Sequence, residues 1–416
     1  MLEREYLSFL PSRGETLQTQ LIDCLHSLAS ARRGAYLGRI LKATLFLEIN
    51  GPLDWFKKQK QAAEIMRGFF KDDLPPFSIV GQAPEKGLKI ALYAEALPSA
   101  GTTAILKYKS SGGIPYCSVE GEWHREVLGA GLTAGEGTAG IIDQSETAFR
   151  LMKKILKRES LVLGDVVRQW NYIENLLRVR RTPAGKSQNY QAFNDIRRRF
   201  YGRTRFPAGF PAATGIGMSS GVVVLEFLAI SPSKDLHLVP ISNPRQIDAH
   251  RYSQAVLVGD PEKKDRPKAP PLFERAKYVG HGRSGLIFIS GTAAVRDEAT
   301  AARTDVESQT WITMENIQTL ISRANLRNHG IETRHDAWPL SYLRAYVKRR
   351  EDLPVVRKIC QKAFGDIPAH FVQADICRRD LLVEMEGVAR LRPENGKGPL
   401  LCHDGPFPDR TKRARS

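Results

Sequence analysis

The chain has 416 residues, of which 42% are hydrophobic and 26% are charged, and its formal net charge is +17. This composition is ordinary for a globular protein that buries several cores, and the length suggests about three domains. No apolar run reaches the roughly 18 residues that a membrane span needs, and the N-terminal residues lack the order of a signal peptide. We therefore expect a cytoplasmic protein with no membrane partner.

The cysteines and the positive charge narrow the class of ligand. Five scattered cysteines form no C-x-x-C pair and no Cys/His cluster with zinc spacing, which predicts reduced thiols and no structural metal. A strong positive charge attracts anions, either nucleic acid or a small polyanionic metabolite. Basic clusters are distributed along the chain, and no helix-turn-helix, zinc-finger or RNP signature is present. A small anion is therefore the favoured partner, and no nucleic acid is expected.

One order of elements, helix, strand, helix, strand, strand, occurs three times along the chain. It occupies residues 15–97, 137–230 and 290–389. The helical members have apolar residues at three- and four-residue spacing, and the strand members are short β-branched or aromatic runs bounded by Gly and Pro. Each copy predicts an α+β unit in which two helices cover one face of a sheet.

The repeat divides the chain into three units, two irregular segments and the clefts between them. The units are assigned to residues 1–100, 101–235 and 281–390. Residues 236–280 are rich in proline and aperiodic, which indicates a linker or a covering arm. Residues 391–416 are polar, basic and rich in Gly and Pro, so this tail is expected to be disordered. Three half-covered sheets predict a pseudo-threefold ring within a monomer, with ligand sites between neighbouring units.

The last strand of the third unit carries two acids. Glu384 and Glu386 are two positions apart in DLLVEMEG, so an extended chain points both carboxylates to one face. A surface strand of an antiparallel sheet would also carry acids in this pattern. The two acids therefore define a candidate site whose alternative is a solvated face.

Arginines and small residues accompany these acids. Arg168 and Tyr172 share one face of VVRQWNYI, where a core with a snorkelling Arg would give the same pattern, and Arg344 and Tyr346 form the equivalent pair in the third unit. Arg is suited to bind carboxylates because its planar guanidinium donates two parallel hydrogen bonds. Small residues in PAATGIG and ISGTAAV would let a ligand approach the backbone, although tight turns explain them equally well.

Seven strings together resemble the chorismatase family: RQWNYIENL, NYQAFNDIRRRF, PAATGIG, NPRQIDAHRY, PPLFERA, ISGTAAV and DICRRDLLVEMEG. The resemblance covers about residues 137–390. It implies RidA-like (YjgF-like, chorismate-mutase-like) units that cleave chorismate, with residues 1–100 as an additional, degenerate unit. The chain departs from the family in RDEATAART, where a Gly/His-containing turn is expected, and in Lys348, where Arg is more usual.

The resemblance implies that chorismate releases pyruvate after a proton is delivered to the terminal methylene carbon of its enolpyruvyl ether. A Glu kept protonated by apolar surroundings can deliver this proton, and Glu384 is the expected acid. Glu386 is matched by Glu226 in the second unit and is expected to be structural, whereas Glu384 is matched by Val224. The expected substrate-binding residues are Arg168, Tyr172, Tyr190, Arg197, Gly291, Ala293, Arg344, Tyr346, Cys377 and Arg378.

Cys377 precedes Glu384 by seven residues, as in the branch of the family that forms 3-hydroxybenzoate. The expected products are therefore pyruvate and 3-hydroxybenzoate, with some 4-hydroxybenzoate, and no cofactor is expected. Two alternatives stay open: hydrolysis to 3,4-dihydroxycyclohexa-1,5-dienoate, and a RidA-like protein that binds metabolites without catalysis. A lone inward Glu argues against the second alternative, because a binder of anions gains nothing from a nearby carboxylate.

Overall fold

A computed structural model describes residues 3–33, 37–98, 103–138, 140–182, 185–231, 233–260, 267–282, 284–333 and 340–391. These residues form an α+β fold, as predicted. The α-helices are α1 Leu17–Arg33, α2 Pro52–Phe70, α3 Gly140–Arg158, α4 Asn189–Tyr201, α5 Val306–Leu320, α6 Arg323–Asn328 and α7 Leu353–Phe364. The strands are β1 Glu5–Phe9, β2 Leu37–Leu47, β3 Phe77–Val80, β4 Ile90–Pro98, β5 Ile105–Ser111, β6 Ile114–Glu120, β7 Arg125–Thr133, β8 Val166–Glu174, β9 Val179–Thr182, β10 Gly185–Gln188, β11 Ala212–Met218, β12 Val224–Ile230, β13 His237–Ile241, β14 Ala276–His281, β15 Ser284–Ala293, β16 Val295–Arg296, β17 Ala299–Thr300, β18 Tyr342–Val347, β19 Ala369–Gln373 and β20 Val383–Leu391.

Three sheets share one four-strand arrangement. Their strand orders are β1-β4-β2-β3, β11-β8-β12-β7-β6-β5 and β13-β14-β15-β20-β18-β19. In each sheet a parallel pair (β2 with β3, β8 with β11, β18 with β19) is joined through a helix, as a parallel connection requires. The last strand of the repeat lies antiparallel to the first member of that pair. The predicted order of helices and strands is confirmed in all three copies.

Several strands outside the repeat were not predicted from the sequence. The β5–β7 meander extends the second sheet, and β13 pairs with β14 at the edge of the third sheet, within the segment expected to be a linker or arm. Pro240 in HLVPI argues against a strand in a sequence pattern. An edge position tolerates this proline because the outward side of an edge strand needs no backbone donor.

The helices and the inner faces of the sheets define where the cores lie. Two apolar clusters lie between a sheet and its own helices, one beneath α3 and α4 and one beneath α5 and α7. A third cluster joins side chains of all three sheets, among them Phe46, Tyr172 and Tyr346. The inner sheet faces therefore pack against one another. None of the helices in the described part of the chain is long and apolar enough to cross a membrane.

Buried charges connect neighbouring sheets at this centre. Glu226 of the second sheet accepts hydrogen bonds from Lys42 Nζ (2.8 Å) and Thr44 Oγ1 (2.9 Å) of the first sheet. Glu386 of the third sheet accepts one from Arg168 Nη2 (2.8 Å) of the second sheet. Since an unpaired buried charge is costly, these contacts fix which sheets are neighbours.

Candidate active site

A cavity lies between the second and third sheets. Strand β11 contributes to its wall from the second sheet, and β15 and β20 contribute from the third. Residues of α4 and of the segment 246–275 cover it. Six residues expected at the site line this cavity: Tyr190, Gly291, Ala293, Cys377, Arg378 and Glu384.

Glu384 reaches the cavity from the start of β20 and is only 5% exposed. No hydrogen bond joins its carboxyl to any described residue. Burial, reinforced by the charge of Glu386 and opposed by Arg168 and Arg275, raises the pKa of Glu384 to about 8. At neutral pH the carboxyl is therefore protonated and has a proton to donate.

Gly291 provides the space that this carboxyl occupies. The register between β15 and β20 shifts between Ile289 and Thr292, so Gly291 lies in a β-bulge, a feature that commonly re-aims side chains beside active sites. A Cβ atom on Gly291 would lie 2.0 Å from Oε1 of Glu384. Only glycine leaves the observed carboxyl position free.

Glu386 has the opposite environment. Its oxygens accept hydrogen bonds from Arg168 Nη2 and Trp170 Nε1, each at 2.8 Å, and from the Thr214 hydroxyl, and Arg344 Nη1 lies 3.2 Å away. Burial alone would raise the pKa of Glu386, but Arg168 and Arg344 outweigh it and lower that pKa. Glu386 is consequently ionised and fully paired, which supports its expected structural role.

Two acids on one strand face therefore differ in charge at neutral pH. Pairs whose surroundings push their pKa values apart are typical of sites where one acid donates a proton and its neighbour stays charged. Here Glu384 is the neutral member and Glu386 the charged one.

Four residues expected to bind substrate lie behind the cavity and do not line it: Arg168, Tyr172, Arg344 and Tyr346. Arg344 Nη1 donates to Tyr172 OH (2.9 Å) and to Tyr346 OH (3.4 Å), and its guanidinium packs over aromatic rings. Strand alternation correctly predicted that these side chains lie on the inner face of their sheets. Most of that face packs against the other sheets and is not exposed to the cavity. The geometry gives them a role in holding Glu386 and does not support direct contact with a ligand in this cavity.

Tyr190 and Arg197 lie on α4, on the second-sheet side. Tyr190 lines the cavity and packs against Gly215, where a Cβ atom would lie 2.8 Å from its ring. Arg197 lies outside the lining and is buried, with its guanidinium over the Phe193 ring. Its Nε and Nη2 have no hydrogen-bond partner among the described residues, and burial lowers its pKa. A buried guanidinium with free donors is costly unless an anion satisfies it.

Cys377 and Arg378 reach the cavity from the loop between β19 and β20. Burial, reinforced by the charge of Glu384, raises the pKa of the Cys377 thiol to about 12, so the sulfur is a poor nucleophile at neutral pH. Arg378 donates to the Glu298 carbonyl oxygen (2.6 Å). Lys348 lies behind it and donates from Nζ to the Arg378 carbonyl oxygen (3.3 Å). Glu298 belongs to RDEATAART, so both places where the chain departs from the family pattern, Lys348 and RDEATAART, form hydrogen bonds with Arg378.

The sequence did not single out Arg275, which also lines the cavity. It is 4% exposed, its Nη2 donates to Tyr252 OH (2.8 Å), and its Nε has no partner among the described residues. Arg275 immediately precedes β14 in a proline-rich stretch, where no alternation shows which way a side chain points. The only available signal was its place in PPLFERA. Other polar residues that line the cavity and were not singled out from the sequence are Gln188, Gln191, Asn194, Gln246 and Tyr252.

The cavity thus combines the arginines Arg275 and Arg378 with a buried acid that pairs with no described residue. Residues 99–229 match the family described as "Chorismatase FkbO/Hyg5-like, N-terminal". A 3-hydroxybenzoate synthase of Streptomyces hygroscopicus is 35% identical over 257 residues, which are 60% of this chain and 70% of that protein. A chorismatase of the same organism is 33% identical over 225 residues, 54% of this chain and 61% of that protein. This chain belongs to the chorismatase family.

A solved structure shows the same fold. The crystal structure of a chorismatase superposes with a TM-score of 0.65 at 21% identity, covering 93% of this chain and 98% of that chain. The agreement extends over all three sheets. It therefore includes the first unit, which lies outside the region of the sequence resemblance.

Proposed function

We propose that this protein cleaves chorismate by delivering a proton from Glu384 to the enolpyruvyl methylene carbon. The observation that carries the proposal is the neutral Glu384 carboxyl, held without a hydrogen-bond partner among the described residues at the wall of the cavity. Protonation gives an oxocarbenium ion, after which the ring-side ether is cleaved and pyruvate is released. A positioned general acid of this kind contributes roughly 10²- to 10⁴-fold to a rate.

The cavity offers cations for the two carboxylates of chorismate. Arg275 and Arg378 line it, and Arg197 lies beside Tyr190 with free guanidinium donors. Planar guanidinium groups are well suited to carboxylates because they can donate two hydrogen bonds at once. A bound dianion would also favour the protonated form of Glu384, because a nearby negative charge disfavours ionisation. Binding of the substrate and protonation of the acid would thus support each other.

We propose the lyase branch of the family, with 3-hydroxybenzoate as the main aromatic product and some 4-hydroxybenzoate. It is supported by the resemblance to a 3-hydroxybenzoate synthase and by the position of Cys377 in the cavity wall. Pyruvate and 3-hydroxybenzoate together contain the same atoms as chorismate, so this branch consumes no water. To give 3-hydroxybenzoate, the neighbouring ring hydroxyl oxygen bonds to the carbon that pyruvate leaves, and its original C–O bond then breaks; in 4-hydroxybenzoate that oxygen stays in place. In both products aromatisation releases one proton in exchange for the proton donated by Glu384.

We further propose that the three sheets form a pseudo-threefold ring of RidA-like units in a monomer, with the unit boundaries given by the sequence repeat. The shared strand order of the sheets and their common central cluster support this arrangement. The chemistry then belongs to one of the three junctions between units. The expected disordered tail, residues 391–416, lies outside the described residues apart from Leu391.

The direct test is incubation of the purified protein with chorismate, with pyruvate measured enzymatically and aromatic products separated by chromatography. We expect loss of chorismate with equal amounts of pyruvate and hydroxybenzoate. The hydrolase alternative predicts a dihydrodiol, in an amount equal to that of pyruvate, in place of hydroxybenzoate. Absence of any pyruvate from a folded protein that nevertheless binds chorismate would favour the non-catalytic binder.

A further inference from the structure

Thr214, in the middle of β11, has every hydrogen-bonding position of its hydroxyl occupied. The oxygen accepts from Arg168 Nη2 (2.7 Å) and from the backbone N–H of Gly291 (3.0 Å), and the hydroxyl donates to Glu386 Oε2. A hydroxyl has one hydrogen and two lone pairs. Since both donors are unambiguous, the direction of the hydrogen bond to Glu386 is fixed.

Each of these three partners affects either the position or the charge of Glu384. Gly291 lies in the bulge that leaves room for its carboxyl. Arg168 favours the ionised form of Glu384, and Glu386 disfavours it. Thr214 of the second sheet therefore contacts both the glycine that leaves room for Glu384 and the two charged residues that act on it.

We propose that Thr214 is a positioning residue for proton donation: its hydroxyl holds the Gly291 bulge, Arg168 and Glu386 in the arrangement that leaves room for the Glu384 carboxyl at the cavity wall. The inference rests on the proposed chorismate-cleaving function. Thr214 itself does not line the cavity, so it acts through its partners.

The fold contains a second hydroxyl-to-glycine contact of this type, which provides a control for effects on the fold alone. Ser78 of β3 accepts a hydrogen bond from the backbone N–H of Gly131 on β7 (2.7 Å), at the junction of the first and second sheets. The strand position that corresponds to Glu384 is Val224 there. No charged side chain among the described residues is hydrogen-bonded to the Ser78 hydroxyl. Ser78 thus holds a junction together without an acid to position.

The test compares Thr214→Val, Thr214→Ser and the control Ser78→Ala for kcat, KM and the high-pH limb of chorismate cleavage. Valine keeps the shape of threonine and removes its hydroxyl. We expect kcat to fall roughly 10- to 100-fold with KM nearly unchanged, because small displacements of a reacting group are costly. We also expect the high-pH limb to move about one unit lower, because Arg168 is released towards Glu384 while Glu386 loses a charge-stabilising donor. Serine should restore both, and Ser78→Ala should move neither.

An unshifted limb in folded Thr214→Val, or an equal shift in Ser78→Ala, would overturn the inference. If the valine variant does not fold, Thr214→Ala takes its place with the same expectations. The infrared carboxyl band of Glu384 can be recorded without substrate, so it tests the positioning role of Thr214 independently of chorismate cleavage. Inactivity of the wild type towards chorismate would count against the proposed function. A downward shift of the titration midpoint of this band in Thr214→Val would still support the positioning role. An unshifted midpoint would refute that role.

Discussion

Two junctions between sheets share the same backbone contact but differ in the side chains beside it. At the junction of the second and third sheets, a bulge glycine, Gly291, donates its N–H to the hydroxyl of Thr214. At the junction of the first and second sheets, Gly131 donates to Ser78, and the β7–β12 register is shifted there as well. We call these the active and the silent junction. The shared contacts belong to the fold, so they do not by themselves make a site.

The difference lies in one side chain and in the space beside it. Glu384 of the active junction is replaced by Val224 at the silent one, although both strands carry the buried acid two positions later. At the silent junction the Trp55 ring is buried against Gly221, where a Cβ atom would lie 3.0 Å from it. Under the proposed function, the features that set the active junction apart are the acid Glu384 and the cavity that it lines.

The third junction is closed by aromatic rings. Tyr93 stands two positions before the buried acid Glu95 of the first sheet, where the third sheet has Glu384. Its ring centroid lies 4.7 Å from that of Tyr342 and 5.6 Å from that of His370. These rings, in tilted and edge-to-face contact, pack the junction of the first and third sheets with apolar surface and place no acid at this strand position.

The largest effect should come from removing the silent junction. A chain that begins near Thr102 loses Lys42 and Thr44, which leaves Glu226 buried without these partners, and it exposes the central apolar cluster. Unpaired buried charges cost several kcal/mol, roughly 3–5 for each broken pair. We expect insoluble or aggregated protein, measured by solubility and size-exclusion chromatography. A chain ending at Leu391 is the matched control and should stay soluble. A soluble, monomeric and fully active truncation would show that the first unit is an appended domain.

Glu384→Gln should abolish pyruvate release, with a loss of roughly 10²-fold or more, because an amide has no proton to deliver at neutral pH. The fold should be intact, since no described residue depends on this carboxyl for a hydrogen bond. Glu386→Gln is the matched comparison: it should keep pyruvate release and act mainly on stability, because Arg168 and Arg344 lose a paired charge, and it should move the high-pH limb lower, because Glu384 loses a neighbouring negative charge. The assignment of the two acids is exchanged if Glu386→Gln stops turnover without unfolding while Glu384→Gln remains active.

Gly291→Ala tests the space at the active junction. The added methyl would meet Glu384 Oε1 at 2.0 Å, so the carboxyl must move. We expect a fall in kcat of roughly 10- to 100-fold at nearly wild-type thermal stability, because a displacement near 1 Å can cost about 10²-fold. Steady-state kinetics and a melting curve measure both. Wild-type turnover in this variant would mean that the observed position of the carboxyl is not the reacting one.

The smallest effect on rate should come from Cys377→Ala. The thiol lines the cavity and is protonated, so its removal reshapes the wall and leaves the proton donor in place. We expect the ratio of 3-hydroxybenzoate, 4-hydroxybenzoate and dihydrodiol to change more than the rate of chorismate loss, as measured by chromatography. A matched fall in every product would instead show that the thiol takes part in the first step.

The sequence predicted the parts of this molecule that depend on short-range pattern. The helices and strands of the three repeats followed from periodicity, and the isolation of Glu384 against Val224 followed from comparing repeats. Arg344 was placed on the correct strand face, but alternation cannot tell a wall that faces a ligand from one that faces another sheet. Arg275 was missed because its segment has no period. Such contacts depend on how distant segments pack, which local pattern does not encode.

The central claim is that Glu384 is a neutral acid at physiological pH, and infrared difference spectroscopy tests it most directly. Subtracting the spectrum of Glu384→Gln from that of the wild type isolates the carbonyl stretch of this one carboxylic acid. The account predicts a protonated band at neutral pH that disappears with a midpoint near pH 8, the pKa to which burial raises the group. A carboxylate signal already present at neutral pH, with titration in the ordinary range for Glu, would contradict the account.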